Sequence, residues 1–231
     1  MRLVTFNVHH GTVGRRGPVD VERLGAVCAG FDADVLCLQE VDVGTYRARG
    51  ADLAAEVGRA TGMDHAFGAS RWFPGGRYGN AVLVRGTIAT AAVVALPRVP
   101  SWRVWQERRT ALEVDAVLDD GPLRVIGAHL AVRRPVNEVQ LRHLLERAGA
   151  GPRPTVVLGD LNRTLGSIEA AAAAAGLPAV AHPPTFPATS PSRTIDHVLL
   201  SSGLEAVAVE VRPTPMSDHA ALLVDVQRRL R

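Results

Sequence analysis

The chain has 231 residues, 47% hydrophobic and 21% charged, which suits one globular domain with a full core and excludes a disordered chain. Its net charge of +3 suits an anionic substrate but is too small to identify a nucleic-acid binder by itself. All 26 basic residues counted as lysine or arginine are arginine, which excludes any lysine-based nucleophile.

In chain order, Leu3–Val8 reads as a strand and Val19–Ala29 as an amphipathic helix with apolar Val21, Leu24, Val27 and Cys28 on one face. Val35–Val41 is a buried strand, and a helix over Asp52–Thr61 stops at Gly62. Ala81–Arg85 and Ala89–Leu96 read as strands. Arg109–Leu118 and Leu123–Leu130 flank Asp119-Asp120-Gly121-Pro122, a hairpin turn signal. Glu138–Ala148 is a helix, Thr155–Leu158 a strand, Ser167–Ala175 a helix, and Pro183–Pro191 a surface loop. Asp196–Leu200, Ala206–Val211 and Ala220–Val226 close the chain as strands. Strands outnumber helices and several neighbours are hairpins, so two packed mixed sheets with helices outside are expected within a single domain. Cys28 and Cys37 fall in a helix and a strand, which makes them small core residues of a reducing compartment.

Polar groups recur at the ends of these apolar strands. Asn7 ends the first, Gln39-Glu40 the second, His129 follows Leu123–Ala128, and Asp160 with Asn162 follows Val156–Gly159. Asp196-His197 and Asp218-His219 open two later strands. Taken singly, an acid after a strand is a turn former, Asp160-Leu161-Asn162 an Asx turn, and His129 a core histidine. Taken together on one rim, they form a basin of carboxylates, amides and imidazoles. Carboxylates that close repel one another and raise each other's pKa. A bound Mg²⁺, or Mn²⁺ in its place, relieves this because hard divalent ions prefer oxygen donors. Zinc is disfavoured, since neither cysteine lies near a histidine-rich spacing.

The motifs Thr5-Phe6-Asn7-Val8, Leu38-Gln39-Glu40-Val41, Tyr78-Gly79-Asn80-Ala81, Ala128-His129-Leu130, Gly159-Asp160-Leu161-Asn162, Ile195-Asp196-His197 and Ser217-Asp218-His219 occur in one order. In that order the chain resembles the endonuclease/exonuclease/phosphatase (DNase I-like) superfamily from Asn7 to His219. The resemblance implies an α/β fold, a four-layered α/β/β/α sandwich of two packed mixed sheets flanked by helices. It implies metal ligation by Glu40 with Asn7 and Asp218. Asp160 and Asn162 would handle the attacking water and a phosphate oxygen. His219, oriented by Asp196, would touch the scissile phosphate, with His129 as a second phosphate-side histidine. The nucleases of that superfamily place a glutamate near Tyr78-Gly79-Asn80 to support the histidine; this chain has Asn80, a neutral partner for His129.

The expected activity is therefore hydrolysis of a phosphoester by in-line attack of water, with Asp160 or His219 as the base. The Arg71–Tyr78 and Trp102–Arg109 segments interleave arginines with aromatic rings, either to stack bases and hold phosphates or to pack over a sheet edge. Arg109 heads a strand and is a phosphate-binding candidate with Asn80. A nuclease is the leading form of phosphodiesterase, ahead of small-molecule, inositol or phospholipid phosphatases. A catalytically dead binding module would have lost Glu40, Asp160, Asn162 or His219, and all four are present. The apolar N-terminal run is too short for a signal peptide, and the alanine run Ala170–Ala175 is too short to span a bilayer. A cytoplasmic monomer without a transmembrane segment is expected, its partner a phosphoester substrate such as nucleic acid.

Overall fold

Eleven strands and four helices are present in the computed structural model, which describes residues 1–14, 16–100 and 106–229. The Trp102 and Trp105 part of the second arginine–aromatic segment lies outside the described residues. The elements run β1 (Arg2–Asn7), α1 (Val21–Ala29), β2 (Val35–Val43), α2 (Leu53–Thr61), β3 (Asp64–Phe73), β4 (Gly76–Val84), β5 (Thr87–Ala95), β6 (Thr110–Leu118) and β7 (Gly121–His129). They continue as α3 (Arg134–Ala148), β8 (Thr155–Asp160), α4 (Leu165–Ala174), β9 (Asp196–Leu200), β10 (Leu204–Arg212) and β11 (Ala221–Arg228).

One sheet has the strand order β10-β11-β1-β2-β4-β3 and the other β5-β6-β7-β8-β9. Both are mixed: β1 runs parallel to β2 and antiparallel to β11, and β7 runs parallel to β8 and antiparallel to β6. The layers follow from which apolar faces meet. Leu3, Val35, Cys37 and Val82 of the first sheet pack against Leu112, Val125, Val156 and Leu158 of the second. The outer face of the first sheet buries Val4, Phe6 and Leu36 under Leu24 of α1 and Leu53 and Val57 of α2. The second buries Ile126, Val157 and Leu199 under Leu141, Leu144 and Leu145 of α3 and Ile168 of α4. This is the expected four-layered sandwich, with each fully buried Leu, Ile or Phe side chain contributing about 1.5–3 kcal/mol.

Local chemistry sets the helix ends. The Asp20 side chain accepts from the Arg23 N–H at 3.0 Å, so α1 begins at Val21, and Val19 pairs instead with Thr12. Asp52 caps α2 through the Ala55 N–H at 3.0 Å, and Gly62 closes that helix at φ 68°. At Gly127 a Cβ would stand 2.6 Å from Cys37 Sγ of the opposite sheet, so glycine there lets the sheets approach. Cys28 and Cys37 are both free and buried. Among the described residues, no helix is long and apolar enough to cross a membrane.

Two elements depart from the sequence expectation. Arg71–Tyr78 lies on a β3–β4 hairpin, and β3 is an edge strand that the apolar pattern did not reveal. The proline-rich segment is not wholly a surface loop: Thr185 is completely buried, and His182 is 9% exposed.

Candidate active site

The carboxyl ends of β1, β7 and β8 and the start of β9 meet at one end of the sandwich. Parallel pairing of β7 with β8 sets His129 opposite Asp160, and antiparallel pairing of β8 with β9 sets Asp160 opposite Asp196. Residues directly opposite in a sheet share a face. Three strands thus present imidazole, carboxyl and carboxyl in one row. Gly159 makes the approach possible, since a Cβ there would lie 1.8 Å from the Ala128 carbonyl oxygen.

Asp160 is the hub of the row. Its Oδ1 accepts the Asn162 N–H at 3.0 Å, and its Oδ2 accepts from Asn7 Nδ2 at 3.2 Å. His129 Nε2 stands 3.4 Å from the same oxygen and His219 Nε2 3.8 Å from it. Burial, then the charge of Asp196, raises the Asp160 carboxyl to about 7. His219 Nδ1 donates to Asp196 at 3.0 Å, and the Thr185 hydroxyl donates to the same carboxylate. Burial alone would lower the His219 pKa. The charge and hydrogen bond of Asp196, with Asp160 and Asp218, overcome it and lift the ring to about 9. His129, buried and facing the positive charges of Arg109 and His219, is driven well below the usual histidine value and is a neutral ring.

Glu40 belongs to a second group on the rim. It lies within β2 rather than ending it, at a break in the β2–β4 register and with φ 60°. That bulge re-aims one side chain out of the strand's alternation. Its Oε1 accepts from Asn7 Nδ2 at 3.2 Å, so a single amide bridges Glu40 of one sheet and Asp160 of the other. His10 Nε2 is 3.2 Å and His9 Nδ1 3.8 Å from Glu40 Oε2, and His9 Nδ1 is 3.6 Å from Asp218 Oδ1. Burial and then the charge of Arg47 push His10 down to about 4. Among the described residues, two sets could hold a metal ion: His9, His10 and Glu40, and Asp160, Asp196 and His219.

Asn7, Glu40, His129, Asp160, Asp196, Asp218 and His219 are thus brought together. Asn162 lies beside them at φ 52°, its side-chain amide donating to the Leu130 carbonyl at 3.0 Å. Asn80 turns its amide to the Thr110 carbonyl at 2.9 Å, and the carboxylate beside His129 is Asp160. Arg109 is 8% exposed and pairs with Glu107 at 2.8 Å, which pairs in turn with Arg71 at 2.8 Å. Asp218 and His219 precede β11 rather than opening it.

Sequence reasoning missed His9, His10 and Thr185, and named Ser217 in a motif without giving it a role. His9 and His10 occupy a 3₁₀ turn directly after β1 with φ 43° and 62°, a conformation that costs about 1–3 kcal/mol per non-glycine residue. The turn is anchored by the His9 N–H to Asn7 Oδ1 at 3.1 Å and the Thr12 hydroxyl to the His9 carbonyl at 2.9 Å. The adjacent pair of histidines after Asn7 was the available signal. Ser217 donates to the Asn7 carbonyl at 2.6 Å and receives the His219 N–H at 3.0 Å, tying β1 to the His219 loop.

The model of the Endonuclease/Exonuclease/phosphatase family matches residues 4–219. An endonuclease/exonuclease/phosphatase from Beutenbergia cavernae superposes with a TM-score of 0.84 at 22% identity, over 99% of this chain and 71% of that one. The human Nocturnin catalytic domain with bound sulfate gives 0.74 at 18% identity, over 99% and 93%. TDP2 of D. rerio, complexed with a single-strand DNA product, gives 0.74 at 16% identity, over 98% of each chain. No curated protein matches the chain.

Proposed function

The chain belongs to the endonuclease/exonuclease/phosphatase family, and from that premise we propose that it is a metal-dependent phosphodiesterase whose substrate is a nucleic-acid strand. The observation that carries the chemistry is the Asn7 amide joined to both Glu40 and Asp160, which couples an ion-binding rim to a buried proton acceptor.

The donor chemistry fits a divalent cation: Glu40 and Asp218 offer carboxylate oxygens that keep 18% and 20% of their side-chain surface in solvent. An ion held by Glu40 and Asp218, with Asn7 beside them, supplies positive charge against the negative charge of the phosphate. The remaining work falls to the chain's own groups. His219, lifted to about 9 beside Asp196, is the cationic partner in the proposed mechanism. Asp160, at about 7, takes the proton from the attacking water. In-line displacement forms the new P–O bond opposite the one that breaks, and the departing oxygen takes its proton from water. With its Nε2 only 3.8 Å from Asp160 Oδ2, His219 stands on the attacking side and binds a non-bridging oxygen. Asn162 positions Asp160 through its backbone N–H, and Asp196 with Thr185 holds the His219 ring.

A nucleic-acid strand is favoured by the hairpin beside the site. Trp72 is 80% and Tyr46 79% exposed, while Arg71 connects through Glu107 to Arg109. Trp72 lies opposite Arg77 across the hairpin, and an exposed ring beside an arginine suits a base and its phosphate together. The bound single-strand DNA product of the TDP2 structure and the sulfate of the Nocturnin structure are in keeping with this reading. The test is release of p-nitrophenol from bis(p-nitrophenyl) phosphate, followed by turnover of single-stranded DNA, duplex DNA, RNA, inositol phosphates and sphingomyelin. Chelator-sensitive cleavage of the aryl diester and of one nucleic acid is expected. Inertness toward every phosphoester under all divalent ions would overturn the proposal.

A further inference from the structure

We infer that His9 and His10 join Glu40, with Asp218 beside them, in a mixed nitrogen–oxygen metal centre that takes a first-row transition dication, such as Mn²⁺ or Co²⁺, in preference to Mg²⁺. The inference rests on the proposed Glu40-centred ion site and specifies which ion that site selects.

Spacing is the first argument. The His9, His10 and Glu40 donor atoms all lie within 4.8 Å of one another. His9 Nδ1 is 3.8 Å from Glu40 Oε2 and 3.6 Å from Asp218 Oδ1, both beyond a direct hydrogen bond. Donors on ligand bonds of about 2.1 Å stand roughly 3–4 Å apart around a shared ion. The 3.2 Å separation of His10 Nε2 and Glu40 Oε2 falls in the same range. One cation among these atoms therefore meets His9, His10 and Glu40 with small side-chain movement, with Asp218 beside His9.

Backbone construction is the second argument. Two consecutive residues with φ 43° and 62° bring neighbouring imidazoles toward one carboxylate, where a regular turn would separate them. The His9 and His10 ring centroids are 5.0 Å apart, and Tyr78 backs His10 at 5.6 Å. The side chains keep between 18% and 26% of their surface in solvent, which leaves the ion open to water and substrate.

Donor type decides the ion. Mg²⁺ requires near-octahedral oxygen and sheds water reluctantly, so an imidazole adds little to its binding. Mn²⁺, Co²⁺ and later ions bind imidazole nitrogen progressively better. Two imidazoles beside two carboxylates thus widen the affinity gap in favour of transition ions.

The test loads the full-length, metal-stripped protein with Mn²⁺ alone and records pulsed electron paramagnetic resonance. Nitrogen coupling from directly bound imidazole is expected in the wild type. In the double variant His9→Asn/His10→Asn the coupling should vanish, with Mn²⁺ and Co²⁺ affinity falling about tenfold or more and Mg²⁺ affinity changing less than about threefold. Absence of nitrogen coupling in the wild type overturns the inference regardless of how the variant folds. An equal loss of Mg²⁺ affinity in a variant with wild-type circular dichroism also overturns it. Hydrolysis without nitrogen coupling would remove this inference and leave the phosphodiesterase standing. Nitrogen coupling without hydrolysis of any phosphoester would do the reverse.

Discussion

Asp160, Asp196 and His219 are 2%, 0% and 6% exposed, whereas the His9, His10, Glu40 and Asp218 side chains keep 18–26% of their surface in solvent. Both groups combine carboxylates with imidazoles and lie at the same end of the sandwich. Burial separates their chemistry. In the floor, low dielectric and fixed partners shift the proton affinities, Asp160 up to about 7 and His219 up to about 9. At the rim, partial exposure keeps His9, His10, Glu40 and Asp218 within reach of water and solutes. The Asn7 amide is the joint between them, and the first two predictions act on either side of it.

The largest effect is expected at the floor. Asp160→Asn removes the proposed proton acceptor while preserving shape and should lower kcat on bis(p-nitrophenyl) phosphate by about 10²–10⁴ at every metal concentration. Far-ultraviolet circular dichroism should be unchanged. At the rim, Glu40→Gln should lower activity by about 10–100-fold at limiting metal and recover part of it as the ion is raised. If Glu40→Gln cannot be rescued by metal while Asp160→Asn can, the roles assigned to floor and rim are reversed.

The floor was more legible in the sequence than the rim, for a physical reason. Asn7, His129 and Asp160 each end a strongly apolar strand, so the change of polarity is abrupt and marks the site. The rim depends on backbone conformation, which a pattern of apolar residues does not encode. Glu40 reaches its place through a bulge inside β2, and His9 and His10 through left-handed residues. Thr185 was hidden because prolines around it read as a surface loop, though it is fully buried against Asp196. The same limit applies to the fold. β6 and β7 alternate around a strong turn signal, whereas Asp64–Phe73 is an edge strand, mostly half-buried or exposed, with little apolar periodicity.

Within the floor, Asp196 is placed to act through its neighbours, holding His219 by a hydrogen bond and raising Asp160 by its charge, so on the proposed mechanism its loss should cost less than that of Asp160. Asp196→Asn is expected to lower kcat about tenfold and to bring the His219 ring down from about 9 toward ordinary histidine values, read by NMR titration. A ring that stays cationic well above neutrality in this variant would show that Asp160 and Asp218 suffice to hold its charge.

Stability against pH gives a smaller effect with a definite sign. The folded-state pKa of His219 is about 9, above the unfolded value of 6.5. Its contribution is therefore fully present below 6.5 and is lost as pH rises through about 9. His197 is held down to about 4 and His129 well below 6.5, so both destabilise the fold as pH falls below 6.5. Thermal midpoints of the metal-free protein should decline between about pH 7 and 9, and His219→Gln should flatten that decline. No lysine is present to titrate in this window.

The smallest structural effect is expected beyond the rim. The Tyr46 N–H donates to the Pro74 carbonyl at 3.0 Å, and its ring covers Gly75, where a Cβ would be 2.6 Å away. Tyr46 is thereby fixed at the turn of the β3–β4 hairpin. Trp72 on β3 is 80% exposed, so Trp72→Ala should change stability by no more than about 0.5 kcal/mol. A base stacked on the ring contributes about 1–3 kcal/mol, which predicts a KM for single-stranded DNA raised roughly fivefold or more. The small aryl diester, which has no strand to extend along the hairpin, should keep its KM on this reading. A variant that raises KM for both substrates equally would mean that the hairpin shapes the site itself, whereas no change for either would remove the stacking platform.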